Sequence, residues 1–319
     1  MRTCSRSVSG SGIGSGSGSA SGSGIGSGLC SWPAGVASLM LMSVSCPLVT
    51  QFEEPAGIGP VFAPDVTHVM AVVNLSPESR VRQAVVDSPA GALERSRWAR
   101  DLGASIIDLG AQSSHFENRE LTPAEELARL LPALDLLVAD GFIVSVDSWK
   151  PEVARVALEH GAQIVNDTGG MQRPEMRSVV AQNNVWCVVM HIEGPNPLEV
   201  SSRELDGDRP AAVAAGLASL VAELSDVGIN RVIVDPGLSI NYSSDYARYG
   251  ELQLETIRRL DELRVAGAPV MIPVPRKAQD HRMHTYLALA IEYGADVIRV
   301  HDVEAACDLV TLLGRKLGN

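Results

Sequence analysis

Basic side chains are in deficit: the chain carries 26 Lys and Arg against 38 Asp and Glu, a formal net charge of −12. That excludes non-specific nucleic-acid binding, which depends on cations neutralising phosphates. It leaves room for a small anion held by one local Arg and Lys. The five cysteines include no C-x-x-C pair, so a zinc knuckle or a dithiol redox site is excluded. Cys187 and Cys307 sit in apolar runs and read as buried free thiols of a reducing, cytoplasmic compartment. No long apolar run is present either. Residues 35–49, "GVASLMLMSVSCPLV", fall short of the ~20 residues that span a bilayer, and lie too far from the start for a secretory signal. Neither a nucleic acid nor a membrane is expected as a partner.

Residues 7–28 are Gly/Ser low complexity. They have too little apolar surface to offset their ordering entropy, so 1–61 reads as a disordered tail. The G-x-G-x-x-G matches inside it follow no strand and open no helix, and carry no nucleotide signal. An appended tail or a start codon assigned too far upstream accounts for the segment; an organelle transit peptide is the competing reading.

From residue 66 the pattern becomes regular. Apolar, β-branched runs recur at His68–Asn74, Ser105–Gly110, Phe142–Asp147, Gln163–Asp167, Trp186–His191, Arg231–Gly237, Ala268–Pro275 and Val297–Val303. Helical periodicity fills the gaps. Thr122 and Pro123 open one helix, Pro151 opens another that Gly161 closes, and a stripe of Leu252, Leu254, Ile257, Leu260 and Leu263 runs to Gly267. The stripe Leu309, Leu312, Leu313 and Leu317 reads as core or dimer surface. Eight strands alternating with helices predict an α/β fold, a single-domain (β/α)8 TIM barrel over 62–319. An open doubly wound sheet is the competitor.

In such a barrel the active site is built at the C-terminal strand ends. Those ends carry Asn74, Asp108, Asp147, Asn166, Met190 with His191, Asp235, Arg276 with Lys277, and Arg299 with His301. Acids and an amide converge on one part of the rim, cations and an imidazole on another. The acids and amide suit a flat heterocycle rich in N–H donors, such as a pterin; Arg299, His301 and Lys277 suit an anionic group. His281 and His284 in "HRMH" lack a third ligand and read as a solvated helix face.

In order along the chain stand "VMAVVNLSPES", "GASIIDLGAQSS", "SVDSWKPEVARVALEHGAQIVNDTGG", "VVMH", "VIVDPG", "PRK" and "GADVIRVHDV". With these pieces the sequence resembles dihydropteroate synthase, of the pterin-binding barrel family. The resemblance implies a transferase of folate biosynthesis that joins 6-hydroxymethyl-7,8-dihydropterin diphosphate to p-aminobenzoate, uses Mg2+ and is a homodimer. It implies pterin contacts from Asp108, Asp147, Asn166, Met190, Asp235 and Lys277, and diphosphate contacts from Asn74, Arg299 and His301, with Asn74 near the metal. Lys277, Asp147 and Arg299 are the implied catalytic residues.

The departures from the family cluster in loops. N-V-T-P-D-S-F becomes "NLSPESR", with Glu78 and Arg80; G-G-E-S-T-R-P becomes "GAQSSHF", with Ser114 and His115; D-P-G-I-G-F-G-K becomes "DPGLSINY", with Ile240 and Tyr242. The alternative reading is therefore a pterin-binding paralogue with lost or altered synthase activity. A methyltransferase barrel would not need the Arg299 and His301 pair, and a Schiff-base aldolase would need a Lys within a strand.

Overall fold

The structure, a computed structural model, describes residues 61–79, 82–114, 118–200, 208–238, 240, 246–274 and 280–318. The expected tail over 1–61 lies almost wholly outside the described residues.

Eight parallel strands follow the eight apolar runs: β1 (Val66–Asn74), β2 (Ile106–Gly110), β3 (Val144–Asp147), β4 (Ile164–Asp167), β5 (Trp186–Met190), β6 (Val232–Asp235), β7 (Met271–Pro273) and β8 (Val297–Val300). The sheet order is β6-β5-β4-β3-β2-β1-β8-β7. The ends meet through a parallel bridge between Val234 and Val270 and the bond from Val234 N–H to the Pro269 carbonyl, 2.9 Å. The ring is thus closed, and the doubly wound alternative is set aside.

The helices on the outside are α1 (Pro89–Leu102), α2 (Pro123–Ala139), α3 (Pro151–Glu159), α4 (Pro174–Asn183), α5 (Arg209–Asp226), α6 (Tyr246–Arg258), α7 (Leu260–Leu263), α8 (Asp280–Glu292) and α9 (Val303–Leu312). Each of α1 to α4 begins with proline. That residue's fixed φ suits the first helical turn, where no backbone donor is missed. On α2, Thr122 and Glu125 form a reciprocal capping box, which satisfies two otherwise orphaned N–H groups.

Two readings of the sequence change. The Leu252-to-Leu263 stripe is not one helix: it breaks at Arg259, which links α6 to α7 with φ −111°. The Arg259 guanidinium pairs there with Asp208 and Glu262. The Leu309-to-Leu317 stripe also divides. Leu312 is 72% exposed, and Leu317 leaves the helix to form β9 (Lys316–Leu317), which pairs with β1.

The barrel interior changes character over one step of the strand repeat. Met70, Ile106, Ile164, Val188, Ile233, Met271 and Val297 form one apolar layer. Phe62 and Trp186 lie beneath it, with rings edge to face at 5.1 Å. Two residues further along, on the same strand face, stand Asp108, Asn166, Met190, Asp235 and Arg299. The dry layer is a base; the polar layer is what it presents.

Candidate active site

Asp108 is fully buried and has three neighbours within hydrogen-bond distance, which make four contacts. Ser145 Oγ donates to its Oδ1 at 2.7 Å. Asn166 Nδ2 reaches both oxygens, at 3.3 and 3.2 Å. Arg299 Nε donates to Oδ2 at 2.6 Å. Strand register explains the grouping, since Asp108 pairs with Ser145 and Asp147 with Asn166.

Asp147 stands one step nearer the rim. Arg299 Nη2 donates to its Oδ2 at 2.7 Å, and Thr168 Oγ1 lies 3.4 Å from Oδ1. Arg299 thus bridges two carboxylates with two of its nitrogens, and Nη1 has no hydrogen-bond partner among the described residues. Asp235 is buried and accepts the Gly237 N–H at 2.7 Å. Asn166 Oδ1 is buried with no hydrogen-bond partner among the described residues. A buried carbonyl left this way costs roughly 1–3 kcal/mol, so Asn166 offers a free acceptor at the floor.

The floor is electrostatically tense. Burial pushes the Asp235 carboxyl up to about 7. Burial also raises Asp147, with Arg299 opposing and Asp108 reinforcing the shift. Burial works against the Arg299 charge, yet Asp108 and Asp147 hold its pKa above the ordinary value. A ligand offering N–H donors would relieve this tension by hydrogen-bonding the ionised carboxylates.

Asp167, next to Asn166, turns away from the floor. Its oxygens accept Gly169 N–H at 2.7 Å and Met171 N–H at 2.9 Å. They hold a tight loop in which Gly170 has φ +71° and Met171 φ +54°. A Cβ on Gly170 would come within 2.7 Å of the Met190 carbonyl, so only glycine lets β4 turn this close to β5.

The rim is tied differently. Asn74 Oδ1 accepts the Ser76 N–H at 2.8 Å. Glu78 accepts from Ser76 Oγ at 2.7 Å and takes a bidentate bond from Arg129 on α2, both arms 3.1 Å. Arg129 holds the Glu78 carboxyl down at about 2, Ser76 assisting and burial opposing. Gln112, where the resembled family has Glu, is buried. It donates to the Ser113 and Arg119 carbonyls and accepts the Leu121 N–H. Lys150 lies 3.5 Å from its Oε1 and pairs with buried Glu126 at 2.6 Å. With Glu126 already neutralising Lys150, a neutral amide at position 112 avoids a surplus buried charge.

Of the expected site residues, Asp108, Asp147, Asn166 and Arg299 meet in one network, and Met190 and Asp235 close β5 and β6 in adjacent register. Asn74 closes β1. His301 follows β8, its carbonyl accepting from Arg95 on α1 at 3.1 Å. Lys277 lies outside the described residues, as do Arg80, His115, Tyr242 and Arg276. His284 pairs with Asp302 at 3.3 Å. Ser145, Thr168 and the Lys150–Glu126 pair were missed; Ser145 alone had a signal, two residues before Asp147 on the same strand face.

A closed parallel barrel whose C-terminal face gathers two buried acids and one half-buried acid, an amide acceptor and a central Arg defines a class: a (β/α)8 protein that binds a polar, N–H-bearing ring beside an anion. The comparisons agree. The family described as pterin binding enzyme matches residues 70–301. A dihydropteroate synthase of Synechocystis is 30% identical over 76% of this chain and 88% of its own length. A probable bifunctional folylpolyglutamate synthase/dihydropteroate synthase of Halobacterium salinarum is 34% identical over 78% of this chain, which spans only 31% of that relative. The Thermus thermophilus dihydropteroate synthase in complex with 4-aminobenzoate superposes with a TM-score of 0.67 at 32% identity, over 79% of this chain and 95% of that one. The chain belongs to the pterin-binding enzyme family, on its dihydropteroate synthase branch.

Proposed function

We propose that this barrel joins 6-hydroxymethyl-7,8-dihydropterin diphosphate to p-aminobenzoate in folate biosynthesis, releasing diphosphate. One observation carries the reading: Asn166, whose Oδ1 is without a hydrogen-bond partner among the described residues, pairs in strand register with Asp147, and Asp235 ends the second strand over. These are acceptors, matched to the amino and ring N–H donors of a pterin. A site whose buried acceptors need such partners rejects analogues that lack them by roughly 10⁴-fold.

Asp147, Asn166 and Asp235 hold the ring with Met190 along it, Lys277, which lies outside the described residues, is assigned to the same ring, and Asp108 supports them through Asn166 and Arg299. The carbon–oxygen bond to the diphosphate ionises, and the ring delocalises the cation. The acid floor stabilises that positive charge through groups already in place, without reorganisation. The amine nitrogen then bonds to the pterin methylene carbon and gives its proton to solvent. Arg299, His301 and Asn74 hold the departing diphosphate. Asp147, Lys277 and Arg299 are the residues on which the chemistry rests.

The residues also fit Mg2+. Among the described residues no cluster of three or more His, Cys, Asp or Glu side chains could cage a metal. Mg2+ is commonly held by one or two protein oxygens plus substrate phosphates, and Asn74 Oδ1 supplies one such oxygen. Bound there with the substrate, the ion would offset diphosphate charge.

The chain works as a cytoplasmic homodimer in this reading. The exposed Leu312 and Leu313 at the end of α9 offer apolar surface to a second copy, and the buried thiols of Cys187 and Cys307 suit a reducing compartment. No helix among the described residues is long and apolar enough to cross a membrane.

The test is mass-spectrometric. The full chain is incubated with pterin diphosphate, Mg2+ and p-aminobenzoate, and 7,8-dihydropteroate is sought. Product that disappears in Asn166→Ala supports the synthase. Pterin binding without product favours the second reading, a pterin-binding paralogue, to which the rewritten rim around Glu78 points.

A further inference from the structure

Asp108 and Asp147 are both strand-end acids, yet they are not equivalent. Asp108 is fully buried, and each of its oxygens already receives two neighbours. A ring N–H could reach it only by displacing Asn166 or Arg299. Asp147 is the more open of the two, its side chain 15% exposed against 0% for Asp108. Apart from Arg299, its only hydrogen-bond contact among the described residues is Thr168 at 3.4 Å. An incoming donor therefore meets Asp147, and what it competes with there is the Arg299 Nη2.

We propose that Asp108 is a positioning residue that anchors Arg299, and that Arg299 couples occupancy of the ring pocket to occupancy of the neighbouring anion pocket. The proposal rests on the pterin reading above. The guanidinium is a rigid fork. Its Nε is fixed on Asp108 at 2.6 Å, its Nη2 rests on Asp147 at 2.7 Å, and its Nη1 has no hydrogen-bond partner among the described residues. With the pocket empty, Asp147 absorbs part of the Arg299 charge. A ring N–H bound to Asp147 takes over that hydrogen bond and leaves the cation less neutralised, so an anion beside it binds more tightly. By the same linkage, an anion that draws Nη2 away frees Asp147 for the ring. Throughout, Asp108 keeps Nε in place, so the fork pivots rather than leaves.

This arrangement has a use. A substrate that carries ring and diphosphate together satisfies both halves at once. Free hydroxymethylpterin or free diphosphate engages a fork still held by the other half. The site thereby favours the intact substrate over either fragment, with no contact additional to those described.

The experiment is a linkage measurement on the full-length chain. Binding of 6-hydroxymethylpterin is titrated calorimetrically with and without saturating inorganic pyrophosphate, Mg2+ present in both. The wild type is expected to bind the pterin about tenfold more tightly with pyrophosphate, within the usual range of allosteric coupling. Asp108→Asn keeps the shape but removes the charge that anchors Nε. It should bring the coupling below about twofold, with a loss of pterin-only affinity much smaller than that of Asn166→Ala. Arg299→Lys, which cannot span two carboxylates, is the second variant should Asp108→Asn fail to fold, and it too should lose the coupling. Undiminished coupling in the variant measured, or none in the wild type, overturns the proposal. So does an Asp108→Asn loss of pterin-only affinity equal to that of Asn166→Ala, which would make Asp108 a ring contact. A wild type that binds no pterin overturns the functional reading as well, so the two failures are distinguishable.

Discussion

The floor and the rim of this barrel are built from the same residue types under opposite conditions. On the floor, Asp108, Asp147, Asn166 and Arg299 project from strand ends into one buried network whose members are fixed by strand register. On the rim, Glu78 and Arg129 come from a loop and the outer helix α2 and meet at partly exposed side chains. The floor is therefore costly to alter and the rim cheap, because removing one partner of a buried charge pair leaves the other uncompensated. This explains why the departures from the resembled family fall in loops while the strand-end acids stay.

The largest effect on stability should come from beneath the rim. Lys150 and Glu126 are both buried and pair at 2.6 Å, with the Trp149 ring 4.9 Å from the ammonium. Lys150→Met leaves the Glu126 carboxylate alone and should cost about 3–5 kcal/mol in urea unfolding. Lys150→Met with Glu126→Leu should recover most of it, since an apolar pair of similar volume leaves no charge behind. A single variant as stable as wild type would show that this pair is solvated, and would erase the contrast.

Next in size is the ring acceptor. Asn166→Ala should weaken hydroxymethylpterin by about 100-fold while the melting temperature moves by only a few degrees, because Asp108 keeps Ser145 and Arg299. Calorimetry and thermal unfolding on one preparation separate the two readouts. Unchanged pterin affinity would remove Asn166 from the ring site.

The two regions should also titrate with opposite sign. Asp235 is pushed up to about 7 by burial, above the ~3.9 of an unfolded aspartate. The folded state then binds more protons between those values, so its contribution to stability falls as pH rises from about 4 to 7. Glu78 is held down at about 2 by Arg129. Its contribution is present above its unfolded value of ~4.3 and is lost as pH falls towards 2. Ring donors favour the ionised floor, so pterin binding below pH 7 should release up to about one proton, fading by pH 9. Calorimetry in buffers of different ionisation enthalpy reads this directly. No proton release at pH 6 would show that the floor is already ionised.

Much of the floor is legible in the sequence itself, and the reason is periodicity. A strand repeat of two places Ile106 below Asp108, Ile164 below Asn166 and Val297 below Arg299, so apolar runs ending in polar residues announce both strands and site. What the spacing could not show is which acid is left open. Asp108 and Asp147 look alike in sequence, and only packing reveals that Ser145, Asn166 and Arg299 occupy the first. The break at Arg259 and the departure of Leu317 from α9 were hidden for a related reason: leucine spacing runs on through both, and tertiary pairing decides where the helix stops. Glu78 and Arg129 are 51 positions apart, and no local pattern links them.

The smallest expected effect on stability is the one that probes the rim most directly. Glu78 and Arg129 are partly exposed, and even a bidentate surface pair is worth about 1 kcal/mol or less. Their geometric consequence is larger. Arg129 also reaches the Ala111 carbonyl at 3.4 Å, so one side chain joins the loop after β1 to the root of the loop after β2. In the proposed reading the acids and amide that hold the ring lie on β3, β4 and β6 and Arg299 on β8, which leaves this sector for the incoming amine. Arg129→Gln should therefore raise the KM for p-aminobenzoate on the order of tenfold, below the ~10²-fold that a 1 Å misplacement can cost. Pterin affinity should hold within about twofold, because the rim variant leaves the floor network intact. Exchanging the charges, Glu78→Arg with Arg129→Glu, should recover part of the loss, since the ion pair re-forms with its ends reversed while the Ala111 contact does not. Equal losses for amine and pterin would mean that rim and floor move as one body, and the distinction between a rigid floor and an adjustable rim would fail.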